Sequence, residues 1–385
     1  MKVLVIGSGM GGMCAAIALK NFGHDVEVYE RFNELRPAGA AISVWSNGVK
    51  CLNFLGLGRQ AQELGGDMAH VSYRDGHTGE TMCRFSLDAL VEEVGQKPYP
   101  MSRHDLQGML HDEFGRGQIQ MGKELVSVED DGALVTAYFS DGSTATGDVL
   151  IGADGTHSRV REHVLGHAID RRYAGYVNYN GLVAATKDLA PLDQWTTWVG
   201  EGKRVSLMPV AGDRFYFFFD VPLPVGLPNE RGRYRGELRE HFAGWAPEVQ
   251  LLVDRLDPQS TNRVEIHDID PWHEWVRGRV ALLGDAAHST TPDIGQGGCQ
   301  AMEDAVALAI ALQVNTVGIE DALHRYAKQR SPRAAELVLR ARKRSEVTHG
   351  ADPRATSDWY GELREETGER VIGGIVKNIV GSPLG

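Results

Sequence analysis

The first thirty residues leave few folds open. Lys2-Val3-Leu4-Val5-Ile6 is a short, partly β-branched apolar run, the pattern of a strand covered on both faces. Gly7-Ser8-Gly9-Met10-Gly11-Gly12 follows without a gap, and Met13, Ala16, Ile17, Ala18 and Leu19 then recur at helical spacing until Gly23. Asp25 to Tyr29 reads as a second strand, and Glu30 closes it 18 residues after Gly12. This is a complete βαβ unit of the dinucleotide-binding type. Gly7 permits the tight turn, Gly9 lets backbone approach a pyrophosphate, and Gly12 lets the helix pack close to the strand. The helix N-terminus offers free N–H groups and a partial positive charge to phosphates. Glu30 is placed to accept hydrogen bonds from ribose hydroxyls. Gly11 and Arg31 join these as cofactor-binding candidates.

That unit does not distinguish NAD, NADP and FAD; a second region does. Arg279-Val280-Ala281-Leu282-Leu283 reads as another buried strand, ended by Gly284-Asp285 and followed by Ala286-Ala287-His288. Pro292-Asp293-Ile294-Gly295-Gln296-Gly297-Gly298-Cys299 then leads into Ala301, Met302, Ala305, Leu308 and Ala309 at helical period. Asp285 can hold a polar linker hydroxyl, such as the ribityl chain of a flavin. Glycines before a helix leave N–H groups at a positive dipole end, which favours the anion that a flavin becomes on reduction. A second nucleotide at this loop is the alternative, but a second βαβ acid spacing is absent. Two distant grips imply one long cofactor. Between them, Asp148 to Arg161 reads as a strand, a turn at Asp154-Gly155 and a helix; Asp154-Gly155 alone is an ordinary turn signal.

Composition narrows the classes. With 385 residues the chain holds two or three domains or one large composite one. A formal net charge of -12 argues against binding nucleic acid or an anionic membrane. The 4 cysteines have neither zinc-site nor CxxC spacing and read as reduced thiols, and the 14 histidines form no ligand motif, so no metal is expected. The apolar start stops at Gly7, too soon for a signal peptide, and no apolar run reaches the roughly 18 residues of a membrane span, so the expectation is a cytoplasmic protein. The basic stretch from Arg325 to Arg344 reads as a solvated helix face. His288 reads as structural, and the segment from Ser345 onward as helical, capping the substrate domain or forming a subunit contact.

The three glycine- and aspartate-bearing segments, in this order and spacing, resemble the class A flavoprotein aromatic hydroxylases, the para-hydroxybenzoate hydroxylase-like group. The resemblance implies that the first loop holds the ADP part of FAD and that the Asp154 segment contacts FAD and a passing NADH or NADPH. It implies that the Gly284-Asp285 segment, with Gly295, Gln296, Gly297 and Gly298, holds the ribityl chain and isoalloxazine. By the same resemblance Ser43 and Arg103 face the cofactor, and Leu125 packs by the adenine. Cys299 departs from the asparagine of many members, leaving its backbone N–H as the cofactor contact.

From about Arg171 to Glu265 the texture becomes β-rich. Tyr176 to Leu182, Lys203 to Pro209 and Arg214 to Asp220 are candidate strands. Period two puts Asn178 with Asn180, Arg204 with Ser206, and Tyr216 with Phe218 on shared faces. If these faces coincide, a sheet presents amide, guanidinium and phenol to a flat ligand over the flavin. Arg204 lies inside a strand, where an unpaired cation is costly, and a guanidinium suits a planar anion. The alternatives are a wet-face arginine or one paired to Asp220 or Glu201.

The runs from Arg171 to Asn178, Val199 to Pro209, Phe215 to Pro222, His288 to Cys299 and Leu363 to Arg370 are very similar to one branch of that family, the FAD-dependent urate hydroxylases of bacterial purine catabolism, to whose pattern Cys299 belongs. This implies a substrate site of Asn178, Arg204, Tyr216, Gln296 and Gly297, with Arg204 and Tyr216 in the catalytic roles. It further implies hydroxylation of urate at C5 to 5-hydroxyisourate with O2 and NAD(P)H, through a flavin C4a-hydroperoxide. Another planar anion of the salicylate or hydroxynicotinate type, or a flavin redox sensor without hydroxylase activity, stays open. The expected fold is α/β: a Rossmann-like FAD-binding domain over residues 1–172 and 265–344, an inserted mixed or antiparallel substrate sheet over 173–264, and a C-terminal helical segment over 345–385, as a monomer or homodimer.

Overall fold

The computed structural model describes residues 1–34, 39–313 and 318–385. Its first sheet has six strands, ordered Val276–Arg277, Val280–Leu282, Val149–Gly152, Lys2–Ile6, Asp25–Glu30 and Ile119–Met121. All neighbours run parallel except the short Val276–Arg277 edge. The central pair carries the most apolar runs, and Val3, Leu4, Val5, Val149, Leu150 and Ile151 are fully buried, as a sheet covered on both faces requires. Helices Met10–Asn21 and Gly297–Gln313 pack against each other. They start beside the carboxyl ends of Lys2–Ile6 and Val280–Leu282, so both N-termini meet at one crevice.

Two glycines set how tightly the first turn closes. Gly7 has φ +107, and a Cβ there would lie 2.3 Å from the Ala153 carbonyl oxygen. A Cβ on Gly12 would lie 2.1 Å from the Gly7 carbonyl oxygen. The helix can rest on its strand only because that atom is missing.

The second sheet has seven strands, ordered Asn262–Asp268, Arg172–Ala184, Arg214–Pro222, Lys203–Val210, Gln194–Gly200, His70–Asp75 and Thr81–Ser86. It is antiparallel apart from the Gln194–Gly200 and His70–Asp75 pair. The segment 173–264 therefore does not make this sheet alone: two strands precede it, and Asn262–Asp268 runs past its end. Period two sorts the faces. Phe215, Phe217 and Phe219 are turned into an apolar cluster with Phe242, Trp245, Val249 and Leu252, under helices Tyr234–His241 and Pro247–Arg255. Tyr216, Phe218 and Asp220 take the opposite face, toward the first sheet. Helices Pro353–Arg364 and Glu369–Ile379 close the far end, where Trp359, Leu363, Ile372 and Val376 pack with Val71, Met82 and Phe85.

Gly12→Val is expected to destabilise the protein by about 1–3 kcal/mol, because the clash is with rigid backbone. Thermal melting measures this, and an unchanged melting temperature would contradict the packing described.

Candidate functional site

A cavity of about 1400 Å³ runs from the first βαβ turn to the face of the second sheet and the C-terminal helices. Gly7, Gly9, Gly11, Glu30, Arg31, Ser43, Arg103, Leu125, Asp154, Asp285, Gly295, Gly297 and Gly298 line it, as do Asn178, Arg204 and Tyr216.

At the first turn, helix Met10–Asn21 begins with Gly9 as its N-cap and no side-chain cap. Among the described residues nothing lies within 4 Å of where a Gly9 Cβ would be. Open space in front of uncapped N–H groups fits a pyrophosphate. Glu30 Oε2 accepts from the Ser8 N–H at 2.9 Å and from the Ser8 hydroxyl at 2.8 Å, which holds the loop and keeps the carboxylate on the cavity wall. Leu125 opens the strand Leu125–Asp130 on the same wall. These features fit the nucleotide half of FAD.

Midway, Asp154 caps helix Arg159–Leu165: it accepts from the Ser158 hydroxyl at 2.5 Å, from the Arg159 N–H at 2.8 Å and from the Val160 N–H at 3.2 Å. Burial pushes its carboxyl up, against these hydrogen bonds. Ser43 and Arg103 come from the small ladder Ala41–Val44 with Tyr99–Ser102, Arg103 being the first residue of the helix that Ser102 caps.

At the other end Asp285 opens the short helix Asp285–His288. Behind it Asp304 accepts from the Gly284 N–H at 2.9 Å, contacts His288 Nε2 at 2.6 Å and pairs with Arg330 at 2.8 Å. His288 is thus a buried support for this turn, not a group on the cavity.

Three residues of the expected site, Gly12, Gln296 and Cys299, turn toward the core and not the cavity. Gly12 packs on the strand and does not reach the cavity. The Gln296 side chain is buried, its Oε1 accepting from Asn47 at 2.9 Å and Gln300 at 3.2 Å. Cys299 is fully buried, with its thiol 3.7 Å from the Ser43 carbonyl and against Gly48, and burial pushes that thiol up to about 12. Gly297 and Gly298 face the cavity; their neighbours in sequence point into the core.

The substrate face is an ion network. Register pairs Asp220 with both Asn178 and Arg204 on adjacent strands. Asp220 accepts from Arg204 Nε at 2.7 Å and from the Asn178 amide at 2.6 Å. Asn178 in turn accepts from Asn180 at 2.7 Å. Arg204 Nη2 reaches Asp293 at 3.3 Å. Asp293 also accepts from the Tyr176 hydroxyl at 2.8 Å and contacts His349 Nε2 at 3.1 Å. Burial opposes both charges, yet Asp220 and Asp293 hold the Arg204 guanidinium above its usual value, while His349 and Arg204 hold the Asp293 carboxyl well below the carboxylate range. Arg204 also lies 5.1 Å over the Phe218 ring. The sequence left Arg204 open between a ligand cation and a partner of Asp220; it faces the cavity and is paired as well.

Sequence reasoning missed Asp293 as a hub, and it missed Tyr176, His349, Trp359 and Arg344. It also misread the stretch from Arg325 to Arg344. Arg330 is buried between Glu303 at 2.6 Å and Asp304 at 2.8 Å, Arg333 pairs with Glu303, Arg342 pairs with Asp268, and Arg340 and Arg344 line the cavity. The signal available was helical phase: positions 330, 333, 337, 341 and 344 share one face, on which Leu337 and Ala341 are buried.

Burial pushes the Tyr216 phenol up to about 12. A spectrophotometric titration is expected to show no phenolate lost near pH 10 on replacing Tyr216 with Phe. A tyrosine titrating near 10 that disappears in the variant would overturn this.

Comparison with known proteins agrees with this geometry. A family model described as an FAD binding domain matches residues 1–341. The chain is 60% identical to the FAD-dependent urate hydroxylase of Mycolicibacterium vanbaalenii, covering 100% of this chain and 98% of that one. It is similar to the crystal structure of Klebsiella pneumoniae HpxO complexed with FAD and uric acid, with TM-score 0.98 and 57% identity over 100% of this chain and 98% of that one. The R204Q HpxO complexed with FAD matches with TM-score 0.98 and 56% identity over 100% of each chain. The chain therefore belongs to the FAD-binding flavoprotein monooxygenases, in the branch of the FAD-dependent urate hydroxylases, and its cofactor is FAD.

Proposed function

We propose that this protein hydroxylates urate at C5, giving 5-hydroxyisourate, with O2 and NAD(P)H as co-substrates. The observation that carries the reading is the sheet face on which Asn178, Arg204, Tyr216 and Phe218 line the cavity opposite Gly295, Gly297 and Gly298. The urate hydroxylase relatives and the neighbour bound to FAD and uric acid supply the substrate.

Bound FAD supplies the redox chemistry, taking a hydride from NAD(P)H and carrying one oxygen atom of O2 to the substrate ring. The chain's part is to hold that ring flat, oriented and dry. Among the described residues, Arg204 has no protein acceptor on Nη1, since its bonds to Asp220 and Asp293 use Nε and Nη2. Nη1 is the donor left for an oxygen of the anionic ring. The Tyr216 hydroxyl, protonated at neutral pH as any phenol is, donates a second hydrogen bond. Asn178 acts one step back: its amide nitrogen is spent on Asp220, which fixes the guanidinium plane. Phe218 gives that plane a flat support. The N-terminal N–H groups of helix Gly297–Gln313 stabilise the negative charge of the reduced cofactor.

Arg204→Gln is expected to keep bound FAD and lose about 2–4 kcal/mol of substrate interaction, roughly 30- to 1000-fold in affinity. NADH oxidation is then expected to outrun urate consumption. The ratio of NADH oxidised to urate consumed measures this, and an unchanged ratio with unchanged affinity would remove Arg204 from the role.

A further inference from the structure

The network around Arg204 does not itself offer an excess of positive charge. One guanidinium stands between two carboxylates, Asp220 and Asp293. In a chain of net charge -12, an anion entering this cavity needs another cation. At the substrate end several wall cations are already paired: Arg340 with Glu336 and Arg370 with Glu366. Arg344 differs. It lies on the inner side of helix Ile319–Thr348 and lines the cavity, and among the described residues no carboxylate lies within ion-pair distance of it. Its guanidinium sits 4.2 Å over the Trp359 ring, and Trp359 meets Tyr73 edge-on at 6.2 Å. Tyr73, Trp195 and Trp359 line the same space.

A half-buried guanidinium without a carboxylate is costly unless something in the cavity answers it. Stacking on Trp359 fixes its plane, the Tyr73 hydroxyl takes one side of it, and the remaining N–H groups are donors for a planar, oxygen-bearing anion. Burial pulls the Arg344 guanidinium below its ordinary value, and Arg204 and Asp293 are close enough to act on it as well. It therefore stands at the substrate end of the cavity rather than at the nucleotide end.

We propose that Arg344, stacked on Trp359 in the cavity wall, is a further substrate-positioning residue that supplies the uncompensated positive charge for a planar anionic ring. Only the identity of that anion rests on the function proposed above. Arg204, neutralised by its carboxylates, sets orientation through hydrogen bonding, and Arg344 sets the preference for an anion over a neutral ring.

The test uses the full chain loaded with FAD. Flavin absorbance is titrated with urate, salicylate and 6-hydroxynicotinate at several salt concentrations. Arg344→Gln is expected to keep its FAD, to bind the anion roughly 10- to 100-fold more weakly, and to flatten the salt dependence of Kd. KM should rise with kcat changed far less, and Arg344→Lys should recover most of the affinity and the salt dependence. Wild-type affinity or an unchanged salt dependence in Arg344→Gln would overturn the proposal, as would an Arg344→Lys variant no better than Arg344→Gln. If Arg344→Gln fails to retain FAD, salt-independent anion binding by the unmodified chain overturns it. Urate-stimulated NADH oxidation by the unmodified chain reads the substrate separately. A chain that binds another of these anions but not urate would refute urate while still testing Arg344.

Discussion

A carboxylate without partners cannot stay charged in a protein interior, and Asp293 is where this structure meets that constraint. It lies in the turn Pro292–Ile294, just ahead of the helix that starts at Gly297. Its partners come from three other places: Tyr176 from strand Arg172–Ala184, Arg204 from strand Lys203–Val210, and His349 from the end of helix Ile319–Thr348. One buried acid thus ties the cofactor loop to the substrate sheet and to the C-terminal helices. Each tie is charge-assisted, and each partner removed would leave the others short of a counter-group. Tyr176 stacks on His349 at 3.7 Å between ring centroids, which closes the cluster against water.

A second buried network does the same for the other half of the cofactor site. Burial alone would raise the Asp304 carboxyl, but His288 and Arg330 hold it down at about 2. It fixes the Gly284 N–H, and with it the turn that presents Asp285. Glu303 next to it binds Arg330, Arg333 and Asn47. Asp304 holds the loop from Asp285 to Gly298 at its start, through the Gly284 N–H, and Asp293 holds it from within. Groups that must act on developing charge are useful only if they need not reorganise, and these networks hold the loop still.

The parts legible in the sequence are those whose cause is local. The turn at Gly7 could be read because strand, glycine spacing, helix and Glu30 all lie within thirty residues. The faces of the substrate strands could be read because alternation belongs to each strand alone. What failed was phase and partnership. Gln296 and Cys299 lie inside the glycine-rich motif, yet the first turn of the helix rotates both into the core beside Asn47 and Gly48. The arginines between 325 and 344 looked like a solvated face because charge usually means solvent; here the acids that receive Arg330, Arg333 and Arg342 are Glu303, Asp304 and Asp268, far away in sequence.

The sequence by itself determined a dinucleotide-binding βαβ unit, a second glycine-rich helix start, and a β-rich insert with an arginine in a strand interior. These are set by short-range sterics and periodicity, which any chain with those residues must obey. Tertiary structure decided which charges meet. Two strands from 70–86 complete the substrate sheet, Asp220 and Asp293 converge on Arg204, and helix Ile319–Thr348 brings Arg344 to the cavity. Coulomb interactions and cavity shape depend on distance in space, and no spacing along the chain encodes that distance.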